Sequence, residues 1–167
     1  DAGDDAQFER QLVGGVLTDF FSPDPSVVTG IDAGTWSAPA VTDWDGDGDP
    51  GDFDLFVAHE SGLRVFLNTG TVRNPNFEEI ITGFEGLAAY IASVDRPSIA
   101  GGDWNGDGKG DLVIGGNTGT LRMIESEGTF DSNGSGTDFA VGSTSARPAL
   151  GDMNGDGKAD LIVLLDD

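Results

Sequence analysis

The sequence contains no cysteine, one histidine and only eight lysines and arginines against 30 aspartates and glutamates, so its formal charge is −22. Without cysteine no disulfide framework can form, and transition-metal sites, which prefer cysteine or histidine ligands, are disfavoured. The shortage of basic residues argues against a nucleic-acid partner and against an anionic membrane surface. No apolar run is long enough to span a bilayer, so we expect no membrane insertion.

The same features agree with a secreted protein. A chain without disulfides is compatible with an extracellular protein that metal stabilises instead. One N-glycosylation sequon, Asn133-Gly-Ser, supports secretion. Because the chain begins at Asp1 and not at methionine, we interpret it as a mature or trimmed product. We therefore expect an extracellular location.

Aspartate is concentrated in three short windows, residues 43–54, 103–111 and 152–160, which hold 12 of the 23 aspartates. The windows begin at Asp43, Asp103 and Asp152, which are 60 and 49 residues apart, and a proline precedes each. A solvating acidic segment would mix glutamate with aspartate and run in blocks. The regular spacing therefore favours metal ligands over bulk charge, and it reveals an internal repeat.

The segments after each window predict β-strands. They are short, rich in apolar and β-branched residues and bounded by turn residues, which is typical of strands covered on both faces. Helix signals are poor, because 27 residues are glycine and no window has a sustained helical period. The predicted strands are 55–58, 112–115 and 161–164, followed by 63–67 and 121–124, with further strands at 77–81 and 138–141.

These elements predict an all-β fold of about two and a half four-stranded antiparallel blades, like those of a propeller. The divisions are an N-terminal segment at 1–37, repeats at 38–97 and 98–145, and a partial repeat at 146–167. A closed propeller has four to eight blades, so we expect an open array and not a ring. The stretch from 8 to 21 reads as a short helix or as one to two strands. We predict that residues 8–31 complete the blade begun at Pro148, in the same chain or in a neighbouring one.

Each window predicts a calcium-binding loop. Calcium takes six to eight oxygen ligands, and a curled loop can supply them from side chains at its first, third, fifth and ninth positions and from the carbonyl of the seventh. In the first loop Asp49 and Asp52 are alternatives, and Asp54 is favoured for the last position because it directly precedes the apolar strand. The predicted ligands of about three Ca²⁺ are Asp103, Asn105, Asp107, Lys109 and Asp111; Asp152, Asn154, Asp156, Lys158 and Asp160; and Asp43, Asp45, Asp47, Asp49 and Asp54.

Two other interpretations of the loops are weaker. An EF-hand needs an acidic residue at its twelfth position and flanking helices, but Ile114 and Val163 occupy that position in the second and third loops. Asp-Gly pairs are also common in metal-free hairpin turns, although three copies with one ligand spacing favour metal. Magnesium is less suited, because it rarely uses a cage made entirely of protein ligands.

The repeats resemble the FG-GAP/VCBS family, the blades of integrin-alpha-type β-propellers. The matching residues are the Asp-x-(Asp/Asn)-Gly-Asp-Gly-x-x-Asp-Leu loops and the preceding Pro-x-x-x-Asp, closest at Pro39 and Pro148, over about residues 37–167. The first loop departs from the pattern by its extra residues. The resemblance implies an extracellular location, calcium in a β-hairpin loop, and roles in adhesion, carbohydrate-related surfaces or scaffolding. Family propellers commonly have seven blades, and this chain has fewer than three.

We consider two functions. The first is a calcium-stabilised structural protein that self-associates through unpaired strand edges, head to tail and in a fibre-like manner, or serves as a scaffold subunit. The second is an adhesion module, cut from a larger protein, that binds a cell-surface protein or glycan. We expect no enzyme, because the single histidine, His59, has Ser61 near it along the chain but nothing in the sequence singles out a catalytic arrangement.

Two further pairs of side chains have predicted roles. Trp44 and Trp104 follow the first aspartate of their loops, where the third loop has Met153. We expect them to pack in an apolar slot, the alternative being exposed rings that stack on sugars. Arg64 and Arg122 occupy matched strand positions and are expected to pair with local acids.

Overall fold

The chain folds into three β-sheets and, within the described residues, one short helix. The computed structural model describes residues 11–13, 16–18, 35–46, 52–71, 75–129 and 132–166. The fold is all-β, as predicted, and these sheets do not close into a ring or barrel within the described ranges. The predicted strands are all present, with bounds shifted by one or two residues.

The first sheet has six strands in the order β2-β1-β6-β5-β4-β3. Strands β3 to β6 form an antiparallel meander, in which each strand pairs with the next along the chain. This meander is the complete first blade. The strands are β1 Gln11–Val13, β2 Val16–Thr18, β3 Ala38–Thr42, β4 Asp54–His59, β5 Gly62–Asn68 and β6 Asn76–Ile80.

The position of the N-terminal strands corrects one prediction. Strands β1 and β2 form a hairpin, and β1 pairs in parallel with β6 at the outer edge of the first sheet. Completion of the blade begun at Pro148 within the same chain is therefore wrong for these strands. The outer edge of the first blade was equally open and is much closer along the chain, so the loop that joins it costs less entropy. The remaining residues between 8 and 31 lie outside the described residues.

The second sheet is a complete four-stranded blade, and the third has two strands among the described residues. The second is antiparallel in the order β10-β9-β8-β7, and the third pairs β11 with β12 along seven residues. Together the sheets have the predicted open arrangement of two blades and part of a third. The strands are β7 Ser98–Gly102, β8 Asp111–Gly115, β9 Thr120–Ile124, β10 Thr137–Ala140, β11 Ser145–Gly151 and β12 Asp160–Asp166.

Helix α1, Glu85–Ala92, connects β6 to β7 and was not predicted. It contains Gly86 and lacks a side-chain N-cap, which leaves little local signal. Leu87 and Ile91, four residues apart, lie fully buried on its inner face, so packing stabilises this short helix more than propensity does. In the described part of the chain no helix is long and apolar enough to cross a membrane.

The largest core lies between the first two sheets and beneath α1. Trp44, Phe56 and Phe84 form an aromatic group with ring centroids 5.3, 5.8 and 5.9 Å apart. Leu112 and Ile114 of β8 pack against the same core. Aromatic pairs at these distances add to the free energy gained by burying their area.

The residue of β8 between Leu112 and Ile114 packs into a second core. Val113 packs with Leu121 and Met123 against Leu161 and Val163 of the third sheet. Because strand side chains alternate between faces, β8 is buried on both faces, as predicted. The second sheet is therefore the middle layer between its neighbours.

Strand β12 departs from that prediction. Ile162 is 50% exposed, whereas its equivalents Phe56 and Val113 are 0% and 1% exposed. Leu164, two residues further along the same face, is 64% exposed. The prediction of cover on both faces is thus wrong for β12 in the described structure, because no further described sheet lies over its outer face.

The core makes a direct prediction about stability. We expect Phe56→Ala to lower the free energy of unfolding by about 3–5 kcal/mol, because it leaves a cavity beside Trp44 and Phe84. Ile81→Ala is the control, since Ile81 is 85% exposed and its loss should change stability by less than about 0.5 kcal/mol. Urea unfolding measures both, and equal losses would contradict this placement of the core.

Candidate metal sites

Each aspartate-rich loop joins the first strand of a blade to its second strand. The loops follow β3, β7 and β11, and β4, β8 and β12 begin at the last aspartate of their loop. The strands on both sides of each loop are antiparallel partners. The predicted hairpin context is confirmed, and flanking EF-hand helices are not found around any of the three loops.

The first aspartate of the second loop organises its curl. One carboxylate oxygen of Asp103 accepts the backbone N–H groups of Gly106 and Asp107, at 2.7 and 3.1 Å. The other accepts the N–H of Gly108 at 2.9 Å. A single carboxylate therefore gathers three successive backbone donors, which bends the loop around it.

The third loop repeats this network. Asp152 accepts N–H groups from Gly155, Asp156 and Gly157 at 2.6, 3.2 and 2.9 Å. These N–H groups hold the pKa of Asp152 below its usual value, with the Gly157 donor as the largest cause. The first-position carboxylate is thus kept negatively charged, as a cation ligand must be.

The third and fifth positions are fixed in the same way. Asn105 accepts the N–H of Asp107 at 2.8 Å, and Asp107 accepts that of Lys109 at 2.9 Å. The corresponding bonds of the third loop have the same lengths. The N–H of Lys109 is also the main cause that lowers the pKa of Asp107.

Glycines permit the curl at two positions of the second and third loops. Gly106 and Gly108 have φ of +80° and +88°, and Gly155 and Gly157 have φ of +78° and +88°. Side chains other than glycine rarely adopt this left-handed conformation. The two loops therefore share one backbone conformation as well as one set of hydrogen bonds.

The ninth-position aspartate ties the loop to its blade. Asp111 is fully buried and accepts the N–H of Trp104, the second residue of its own loop, at 2.9 Å. Its other oxygen accepts the N–H of Ser126, just past the third strand, at 2.9 Å. In the third loop Asp160 accepts the equivalent N–H of Met153 at 2.9 Å.

In the first loop Asp54 has this role. It accepts the N–H of Trp44 at 3.0 Å and that of Asn68, at the end of β5, at 2.9 Å. The structure thus gives Asp54 the place of Asp111 and Asp160, which agrees with the choice of Asp54 as the last position.

Burying the carboxylates of Asp54 and Asp111 disfavours their charged forms. Burial raises the pKa of Asp54 to about 6, the Asn68 and Trp44 N–H groups oppose that rise, and the charges of Asp45 and Asp43 add to it. Burial also raises the pKa of Asp111, again opposed by backbone donors. A bound cation would favour the charged form of both groups.

The first loop is described only in part. Gly46 donates to Asp43 at 2.8 Å, as Gly106 does to Asp103. Burial raises the pKa of Asp43, and the nearby charges of Asp52 and Asp45 raise it further. Asp52, weighed as an alternative ligand, is buried close enough to Asp43 to act on it. The predicted ligands Asp47 and Asp49 lie outside the described residues.

The donor set fits calcium in its chemistry, although the carboxylates are not gathered into a finished cage. The side chains at the first, third, fifth and ninth positions of the second and third loops offer hard oxygen atoms, which suit Ca²⁺. The side-chain amide N–H of Asn105 donates to the carboxylate of Asp107 at 3.3 Å. Within the described ranges, however, no group of three or more acidic, histidine or cysteine side chains converges on one point. The first-position oxygens face backbone donors instead.

The tryptophan prediction is confirmed for Trp44, which is 1% exposed and donates its indole N–H to the carbonyl of Thr129 at 2.7 Å. Trp104 is partly buried against the second core. Met153 is 61% exposed, so the expectation that it fills an equivalent slot is wrong. The slot exists only where a following blade covers it.

The arginines pair with local acids, as predicted. Arg64 contacts Glu79 at 2.7 Å, and Arg122 contacts Asp138 at 2.6 Å, each across neighbouring strands. The guanidinium of Arg122 also lies 3.8 Å from the ring centre of Tyr90 on α1. His59, at the end of β4, accepts the backbone N–H of Ser61 at 3.3 Å, so this contact does not involve the serine hydroxyl.

Comparison with known families agrees with this geometry. Residues 103–163, from the second loop to β12, match the family described as FG-GAP-like repeat. The match supports an FG-GAP-type repeat in this part of the chain. The first loop lies outside the match and is related to the FG-GAP-type segment by its equivalent strands and its equivalent Asp54 bonds. A search of curated proteins gave no match to the chain.

The buried aspartate predicts a stability difference that does not depend on any ion. We expect Asp111→Ala to lower the free energy of unfolding by at least about 2 kcal/mol, because it leaves the Trp104 and Ser126 N–H groups without their acceptor. Asp107→Ala, at an exposed position in the same loop, should cost less than about 1 kcal/mol. Urea unfolding with excess chelator compares them, and the reverse order would contradict the structural role of Asp111.

Proposed function

We propose that the chain is an extracellular structural repeat protein that calcium stabilises and that self-assembles or acts as a scaffold subunit. The observation that carries the calcium proposal is the repeated loop, because the second and third loops share five hydrogen bonds whose lengths differ by no more than 0.1 Å. Such repetition of a loop whose predicted ligand atoms are all oxygens favours one common ligand. The exposed sequon residue Asn133 supports the extracellular proposal.

In this proposal the side chains at the first, third, fifth and ninth positions and the carbonyl of the seventh hold one ion per loop. The ion would supply positive charge among carboxylates that otherwise repel each other. Three divalent ions would change the formal charge from −22 to −16. The backbone bonds of Asp103 and Asp152 curl the loops in advance, so less ordering would remain for the binding step.

Calcium removal tests this role. We expect a chelator to lower the melting temperature, since each site adds about 2.7 kcal/mol at a hundredfold excess of calcium over its Kd. Asp107→Asn combined with Asp156→Asn should remove most of that difference, because both changes delete fifth-position charges in the matched loops. Magnesium at equal concentration is the control and should restore less stability. Identical melting curves with calcium and with chelator would refute calcium stabilisation.

The assembly proposal is supported by the open third sheet. Ile162, Leu164 and Met153 are exposed, whereas the equivalent residues of the first blade are buried. Among the described strands β12 pairs only with β11, whereas β4 and β8 each have partners on both sides. An apolar face beside an unpaired edge favours association with another chain.

Charged substitutions on that face test the assembly. We expect Ile162→Lys combined with Leu164→Glu to abolish association, because charges on an edge strand oppose pairing. Ile81→Lys is the control, because Ile81 is exposed and lies just past β6, away from the third sheet. Sedimentation velocity and negative-stain images in calcium measure the outcome. Small discrete particles at every concentration of the unmodified chain would contradict self-assembly and favour the adhesion module, which binds a cell-surface protein or glycan.

A further inference from the structure

Neighbouring loops are joined by the same backbone hydrogen bond twice. Gly110 donates its N–H to the carbonyl of Asp43 at 2.5 Å, and Ala159 donates to the carbonyl of Asp103 at 2.7 Å. Each donor directly precedes a ninth-position aspartate, and each acceptor belongs to the first-position aspartate of the preceding loop. The bond thus connects the last ligand position of one loop to the first ligand position of the loop before it.

A second contact also occurs twice. A Cβ atom placed on Gly46 would lie 2.6 Å from Cγ of Lys109, and one on Gly106 would lie 2.7 Å from Cε of Lys158. In both cases the seventh-position lysine packs its aliphatic chain on the fourth-position glycine of the preceding loop. Glycine is needed there for this close approach as well as for its positive φ.

The first and second loops share an additional link through Ser126. Its N–H binds Asp111 at 2.9 Å, and its buried hydroxyl donates to the carbonyl of Trp44 at 2.5 Å. Trp44 in turn donates to the carbonyl of Thr129 at 2.7 Å. A continuous set of bonds therefore runs from the last ligand position of the second loop to the residue after the first ligand position of the first loop.

From these contacts we infer that the loops bind calcium with positive cooperativity, each loop being coupled to its immediate neighbour. The inference rests on the proposed calcium function. An ion bound at Asp111 also orders Ser126 and Gly110, whose hydrogen bonds hold the first loop. The first loop then loses less conformational entropy when it binds its own ion. Direct repulsion between bound cations would have the opposite sign. The sign of the coupling therefore separates a structural link from simple electrostatics.

The test is a calcium titration of the full chain, labelled with ¹⁵N, in about 0.15 M salt, which screens charges beyond about 8 Å. The amide signals of Gly46, Gly106 and Gly155 report the three loops separately. We expect disabling the second loop with Asp107→Asn to raise the calcium concentration at half-saturation of the first and third loops at least about fivefold. Disabling the third loop with Asp156→Asn should affect the second loop more than the first.

Ser126→Ala isolates the link without changing any charge. It should move the midpoint of the first loop, which is the calcium concentration at its half-saturation, toward the value measured in Asp107→Asn. Ser98→Ala is the matched control, because Ser98 also donates a hydroxyl to a carbonyl of the next sheet, that of Ala146 at 3.3 Å, but at the strand end away from the loops. We expect that control to leave all three midpoints within about twofold of those of the unmodified chain, which is less than the change that typical coupling between sites produces.

The outcomes separate the two proposals. Loops that bind calcium with midpoints unchanged by Asp107→Asn, or with tighter binding, would overturn the cooperativity and leave calcium stabilisation standing. Loops that bind no calcium would overturn both. If Ser126→Ala fails to fold, the comparison of the unmodified chain with Asp107→Asn still decides the inference.

Discussion

The buried carboxylate at the last loop position is the constraint on which the rest of the structure depends. In the first two blades it accepts one N–H from the start of its own loop and one from the end of the third strand, through Asp54 and Asp111. These two bonds place the loop over its sheet and orient the tryptophan that enters the core. Burial makes the charged form costly, and backbone donors offset part of that cost.

The apolar contacts between sheets follow from this placement. Once Trp44 is oriented, it packs with Phe56 and Phe84, and the alternate residues of β8 then divide between the two sides of the second sheet. The second blade is thereby a layer shared by both cores. The loops lie at one end of these layers, which brings each loop into contact with the next and allows the repeated bonds between them.

The sequence predicted the parts of the fold that depend on local spacing. The hairpin loops, the strands after them and the position of Asp54 at the end of its loop follow from residues that are close along the chain. The features that were missed depend on distant contacts. Helix α1 forms because Leu87 and Ile91 are buried by strands. Strand β1 pairs with β6 because the open sheet edge at β6 is closer to it along the chain than the edge of the third sheet. The exposure of Met153 could not be read from its equivalence to tryptophan, since it depends on what covers the sheet.

Helix α1 makes the two cores unequal. It adds Phe84, Leu87 and Ile91 to the core between the first and second sheets, whereas the described residues include no such helix over the core between the second and third. Repeat arrays are held together by nearest-neighbour interfaces, so unequal interfaces separate at different free energies. The third sheet would consequently detach as a unit of its own under load, and the first two blades would act as a durable pair behind it.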